Sequence, residues 1–214
     1  MQYKHDTSLQ EKAEDVFSQL INTPLNIKDI DCITSLVHEG LDSSSWHHKS
    51  HTLRMLSSLY YRHILIMSKP QKSTLHNLAV EMLFDSRVEV RQQATVVLAG
   101  MMRCSLAEDG GDLAKRLKDR FMDDLSRDQG PHAPSDMRRG ALLGLGAVVT
   151  AVTYITPIPS WVPPVLIKVA NTNYNRAYEK VAERIIYEFK LERRETWKLD
   201  LMVSTILPAS VNSN

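Results

Sequence analysis

Cysteine is nearly absent from this 214-residue chain. Cys32 and Cys104 are the only two, and their separation is not that of a metal site. That argues against a disulfide framework and leads us to expect a reducing, intracellular setting. Charge of one sign is lacking too. With 26 Lys and Arg against 25 Asp and Glu, the formal net charge is +1, which gives no overall pull toward nucleic acid or anionic lipid. The first residues, Met1-Gln2-Tyr3-Lys4-His5-Asp6, contain no apolar signal core. No apolar run reaches the roughly 20 residues of a spanning helix. The longest, residues 141–155, has 15 and includes Thr150 and Thr153, so it reads as a buried helix. Glycine and proline are few and concentrated in a few places, as in an all-helical protein. Aromatics are 7% and are not interleaved with basic residues in the way of a nucleic-acid surface.

What is present is a pattern written twice. Val90-Arg91-Gln92-Gln93-Ala94-Thr95-Val96-Val97-Leu98-Ala99-Gly100-Met101-Met102 is followed, 47 residues on, by Met137-Arg138-Arg139-Gly140-Ala141-Leu142-Leu143-Gly144-Leu145-Gly146-Ala147-Val148-Val149. Aliphatic, Arg, Ala and Leu recur at the same offsets. All but the Arg share one helical face, so each copy reads as the inner helix of a stacked repeat. A period in the forties points to HEAT-type units and an all-α solenoid. Ala182 and Ile186 repeat the small-then-large spacing and suggest a third copy. The repeat signature is therefore Asp85, Val90, Arg91, Ala94, Leu98, Arg138, Ala141, Leu145, Ala182 and Ile186.

Around these copies the periodicity predicts helices over residues 8–19, with Leu9, Ala13, Val16, Phe17 and Leu20 inward, and 29–41, closed by Gly40. A long helix follows over 46–67, capped by Ser45. Pro70 reads as a break, with Ser73 capping a helix over 74–84. Further helices are expected over 88–104, 112–125 and 176–197, and from Pro163 and Pro164 to Ala170. Asp85 opens the turn into the first repeat helix, where its carboxylate can accept from free backbone N–H groups. Arg91 in such arrays pairs with Asp residues of neighbouring units. Residues 1–207 are expected to form one solenoid segment of about four to five helical hairpins, and 208–214 a frayed tail.

Candidate chemistry is thin. His47 and His51 share a helical face at zinc spacing, but His48 stands where a zinc hydrolase needs its glutamate, and no third ligand follows. Gly140, Gly144 and Gly146 lack the preceding strand and the following Lys-Ser of a phosphate loop, so close helix packing is their simpler role. Cys104 has no visible histidine partner. Trp161 and Trp197, with the basic set Lys190, Arg193, Arg194 and Lys198, are the candidate interface, against the plainer reading of groove-capping rings and a solvated face. We expect no catalysis, no cofactor and no metal.

At Arg138 to Ala147, followed by Pro157-Ile158-Pro159-Ser160-Trp161-Val162-Pro163, the chain resembles the C-terminal region of the two-hundred-kilodalton proteasome activator family, known in yeast as bleomycin-sensitivity protein ten. Trp46-His47-His48-Lys49-Ser50-His51, residues 85–100, Phe189 and Glu195-Thr196-Trp197-Lys198-Leu199-Asp200 support it in the family's order. The resemblance spans roughly residues 46–200. It implies a HEAT solenoid that, with the remainder of the activator chain, domes over the α-ring of the core proteasome. Such a cap promotes degradation of peptides and proteins without ubiquitin or ATP. It further implies nuclear and cytoplasmic work, a link to DNA repair, and no direct contact with nucleic acid or membrane. Two features depart from the family. Its members end in a hydrophobic–Tyr–any tail that helps open the gate, whereas this chain ends Val211-Asn212-Ser213-Asn214. Where animal members read acetylated histones through an Asn-Phe pair after a cysteine, Ser105 and Leu106 follow Cys104, so that activity is not carried over.

Overall fold

The computed structural model describes residues 22–127, 135–171, 176–194 and 196–206, with Lys12, Asp15, Val16 and Gln19 also helical. Most of the helix expected over 8–19, the linker at 128–134 and the tail after Ile206 lie outside the described residues. Nine helices run through the described part, and no strand occurs in it. They are α1 (Ile27–Leu41), α2 (Trp46–His63), α3 (Lys69–Glu81), α4 (Val88–Asp109), α5 (Asp112–Arg127), α6 (Ser135–Val152), α7 (Val162–Asn171), α8 (Arg176–Arg193) and α9 (Trp197–Ile206); a 3₁₀ turn, Met82–Phe84, joins α3 to α4.

The packing is that of an α-solenoid. Each odd-numbered helix leans on the one that follows, giving the pairs α1–α2, α3–α4, α5–α6 and α7–α8. The even-numbered helices then stack side by side, α2 on α4, α4 on α6 and α6 on α8. A single apolar core runs through the stack, from Ile30 and Leu53 through Leu98, Phe121 and Leu145 to Val169 and Phe189. Each unit is too small to bury its own apolar face, so neighbours bury it for each other.

Helix starts follow capping chemistry. Asn26 accepts from the backbone of Lys28 and Asp29, and the Asp29 carboxylate returns a bond to the Asn26 N–H, a capping box that starts α1 two residues before the periodicity does. Ser45 caps α2, as the sequence predicts. The expected start at Ser73 is overturned: Ser68 caps α3 in a box with Gln71, and Pro70 lies inside the first turn. A first-turn N–H has no intrahelical acceptor, so proline costs nothing there. Gly40 does not end α1 either. A Cβ at that position would come within 2.5 Å of Thr52 Oγ1, so this glycine marks close contact with α2. The first repeat helix runs beyond residue 104 to Asp109, where Gly110 takes the left-handed conformation at φ 60° and stops it.

Helix α6 is the hub. It touches the 3₁₀ turn and α4, α5, α7 and α8. Its apolar residues surround it, and Ala141, Leu142, Leu145, Ala147, Val148, Val149, Ala151 and Val152 are all buried. No helix among the described residues is long and apolar enough to cross a membrane. The three glycines of α6 have no room for a side chain. A Cβ on Gly140 would collide with the Phe84 ring and approach the Leu83 carbonyl to 2.9 Å, one on Gly144 would meet the Phe121 ring at 2.5 Å, and one on Gly146 would meet Ile185 at 2.9 Å.

This geometry gives opposite expectations for two glycine-to-alanine changes. Gly144→Ala forces the buried Phe121 ring to move and should lose about 1–3 kcal/mol despite better helix propensity. Gly100→Ala on α4, where a Cβ meets nothing within 4 Å, should gain roughly 0.5–1 kcal/mol. Urea midpoints of the two variants, compared with the parent, test both signs.

Candidate interaction surface and its joints

Two members of the repeat signature, Asp85 and Arg91, lie at the joint between the first two units. Asp85 Oδ1 accepts from the Arg87 N–H at 2.8 Å, which closes the turn into α4. Its Oδ2 takes the Lys49 ammonium of α2 at 2.7 Å. Burial pushes the Asp85 carboxyl up, but Lys49, the Arg87 N–H and Arg91 outweigh it, leaving the group below its ordinary range. Arg91 is 2% exposed. Its guanidinium donates to the backbone carbonyls of Asp85 at 2.6 Å and Ser86 at 2.9 Å. Arg91 thus ties down its own turn, through carbonyls that have no helical partner.

Val90, Ala94 and Leu98, and in the second copy Ala141 and Leu145, are fully buried. Ala182 is buried and Ile186 half-buried on α8. Arg138 is half-buried. The two copies part at their first position: Val90 is inward, while Met137 is 45% exposed in the first turn of α6.

The candidate interface divides into four places. Trp161 packs half-buried on the core, under the Lys118 ammonium of α5. Trp197 also packs on the core, and Lys190 and Lys198 lie over its ring at 4.6 and 5.7 Å. Arg193 turns inward. It grips Asp200 with two bonds of 2.8 and 2.9 Å and donates to the carbonyls of Thr153 at 3.2 Å and Ile155 at 3.4 Å. This clasp fastens α8 and α9 to the end of α6. Arg194 is exposed, with a left-handed φ of 44°. The basic set is therefore two cations on an indole, one internal clasp and one solvent-facing side chain.

The other candidates are separate. His47 stacks on Trp46 at 3.6 Å, and His51 lies 2.8 Å from the Arg54 guanidinium. Cys104 is half-buried, and burial pushes its thiol up despite Arg103, the reverse of what a nucleophile needs. Among the described residues no three His, Cys, Asp or Glu side chains gather as a metal site.

Sequence reasoning missed a buried polar knot between α2, α3 and α4. The Tyr60 hydroxyl and Ser105 Oγ are 2.6 Å apart, and burial pushes the phenol up to about 12. His76 packs its ring 5.1 Å from that of Tyr60, and burial, with Arg116 and Lys72, pushes it down to about 4 against the opposing pull of Asp109. No periodic signal marks these residues, because each falls on an ordinary inward face.

Comparison with known proteins now bears on the chain. The family described as "Proteasome activator complex subunit 4-like, C-terminal" matches residues 136–205, which run from the start of α6 into α9. Over these residues the chain is similar to the C-terminal region of this proteasome activator family. It is 28% identical over 178 residues to Proteasome activator subunit 4 of Arabidopsis thaliana, covering 78% of this chain and 9% of that protein. It is 23% identical over 179 residues to Proteasome activator complex subunit 4 of Homo sapiens, covering 78% and 10%. With Proteasome activator BLM10 of Saccharomyces cerevisiae it shares 28% over 146 residues, covering 64% and 7%. It spans about a tenth of the length of the activators it matches. The span that matches the activator family holds the three packing glycines and the Arg193–Asp200 clasp.

Two expectations follow from this geometry. Arg193→Ala should lose about 1–3 kcal/mol, because it strands Asp200 and two carbonyls; Arg193→Lys, which cannot grip two oxygens, should restore only part. Amide hydrogen exchange should show the loss concentrated in α9. His76 is neutral when folded and protonates more readily when unfolded, so stability present above about pH 6.5 falls as pH drops toward about 4 and then levels. The drop is on the order of 2–3 kcal/mol, and His76→Leu should flatten it in urea titrations at stepped pH.

Proposed function

We propose that this chain is a non-catalytic HEAT-repeat part of a proteasome activator. Joined to the remainder of that activator, it caps the α-ring of the core proteasome and promotes degradation of peptides and proteins without ubiquitin or ATP. The observation that carries this reading is the match of residues 136–205 to the activator family. The architecture supports it. A stack of helical pairs acts by presenting surface to a partner, and the polar groups of Asp85, Arg91 and Arg193 are engaged in joints of that stack. Regulation rather than catalysis also suits a chain whose Cys104 thiol is raised by burial.

The mechanism needs no group on this segment to react. A rigid curved stack fixes where the cap touches the ring, and contact shifts the ring toward its open state by differential binding. We place this work in the nucleus and the cytoplasm, with a link to DNA repair.

Affinity-tagged protein, as this chain and as the longer activator that contains it, should recover core proteasome from cell extract, and the longer form should raise hydrolysis of a fluorogenic peptide. Recovery of no proteasome by either form would overturn the reading. A fluorescent fusion seen only outside the nucleus and cytoplasm would overturn the assigned location.

A further inference from the structure

A near-zero net charge hides a segment of one sign. Residues 43–80 contain Lys49, Arg54, Arg62, Lys69 and Lys72 and not one Asp or Glu. The fold neutralises two of the five, Lys49 by Asp85 and Lys72 by Glu108. Arg54, Arg62 and Lys69 are exposed, and no carboxylate of the described residues lies within ion-pairing distance of them. Helix α2 and the turn that follows it carry uncovered apolar side chains. Tyr61 is 73% exposed and Leu65 88%, with Ile66 beside them.

These residues form a line. Positions 47, 51, 54, 58, 61 and 65 alternate steps of four and three, which keeps them on one helical face. Ile64 retains helical angles past the end of α2, so the stripe continues to Leu65. It is about 27 Å long at 1.5 Å per residue. Arg62 flanks it, and Lys69 follows its end at the start of α3. Polar Ser58 is the only uncharged polar member between Arg54 and Tyr61.

We propose that this face of α2 docks an acidic, amphipathic segment of another protein. Its carboxylates would pair with Arg54, Arg62 and Lys69, and its aliphatic side chains would cover Tyr61, Leu65 and Ile66. The complementarity is specific in sign, because α2 presents cations and apolar groups and no anion. Tyr and Arg are the side chains that most often anchor protein interfaces. A nucleic acid fits less well. Three cations strung from residue 54 to 69 are too sparse for a phosphate backbone charged every 1.7 Å, and Tyr61 is the one exposed ring on the stripe's apolar end. The proposal is independent of proteasome capping, since it needs only the fold of the first two units.

The test uses the purified 214-residue chain and a fluorescent peptide of about 18 residues, glutamate-rich with leucine at every third and fourth position. Anisotropy should show saturable binding that weakens at least about tenfold in Arg54→Glu/Arg62→Glu and in Tyr61→Ala/Leu65→Ala. A control pair on α5, Lys115→Glu/Arg120→Glu, should bind like the parent. Circular-dichroism melts confirm folding; should a reversal variant not fold, Arg54→Gln/Arg62→Gln replaces it with a smaller loss in the same direction. The proposal is overturned by absent saturation, by undiminished binding in the α2 variants, by an equal loss in the α5 pair, or by a single-stranded oligonucleotide displacing the peptide at lower concentration.

Discussion

Three missing side chains on α6 set the spacing of the stack. Gly140 lets the helix lie against Phe84 and the Leu83 carbonyl, Gly144 against Phe121, and Gly146 against Ile185. Those neighbours belong to the turn before α4, to α5 and to α8, so one helix is located from three sides at once. Packed helices ordinarily stand 8–10 Å apart, set by the side chains between them; glycine removes the spacer. Each such glycine costs helix propensity. The offset comes from the apolar side chains packed all around α6, whose burial closes the core between the second and fourth helical pairs. The match to the activator family falls on this part of the chain.

Where apolar packing ends, arginine takes over. Arg91 gathers the carbonyls of the turn before α4, and Arg193 gathers two carbonyls at the end of α6 while gripping Asp200. Both sites are chain reversals whose carbonyls lack helical donors. A guanidinium suits them because it offers several N–H donors in a fixed plane and keeps its charge when buried. Lys49 and Asp85 add a cross-unit pair to the first joint. Charges that look like surface features in a linear reading thus serve as fasteners between successive turns of the solenoid.

This division of labour shapes what the molecule can do. The raised thiol of Cys104 and the lowered imidazole of His76 are consequences of packing. The α2 face sets exposed cations, Arg54 and Arg62, beside the exposed ring of Tyr61 and the exposed Leu65 that follows the helix.

The repeat, the α-helical class, the Ser45 cap and the packing role of the α6 glycines were legible in the residues, since each depends on local periodicity or on a signature a few positions long. The same periodicity misplaced the start of α3, where a proline in the first turn looks like a break, and took Gly40 for a terminator when it is a point of contact. The equivalence of Val90 and Met137 failed although each stands third in its helix, because burial there depends on which neighbour covers the first turn and not on helical period. Above all, the sequence alone could not assign partners to charges. Lys49 meets Asp85 across 36 positions, Tyr60 meets Ser105 across 45, and Arg193 meets Thr153 across 40. Helical period tells which face a residue occupies; only the stacked structure decides which neighbour that face will meet, because the contact depends on how far each helix rises and turns before the next is laid against it.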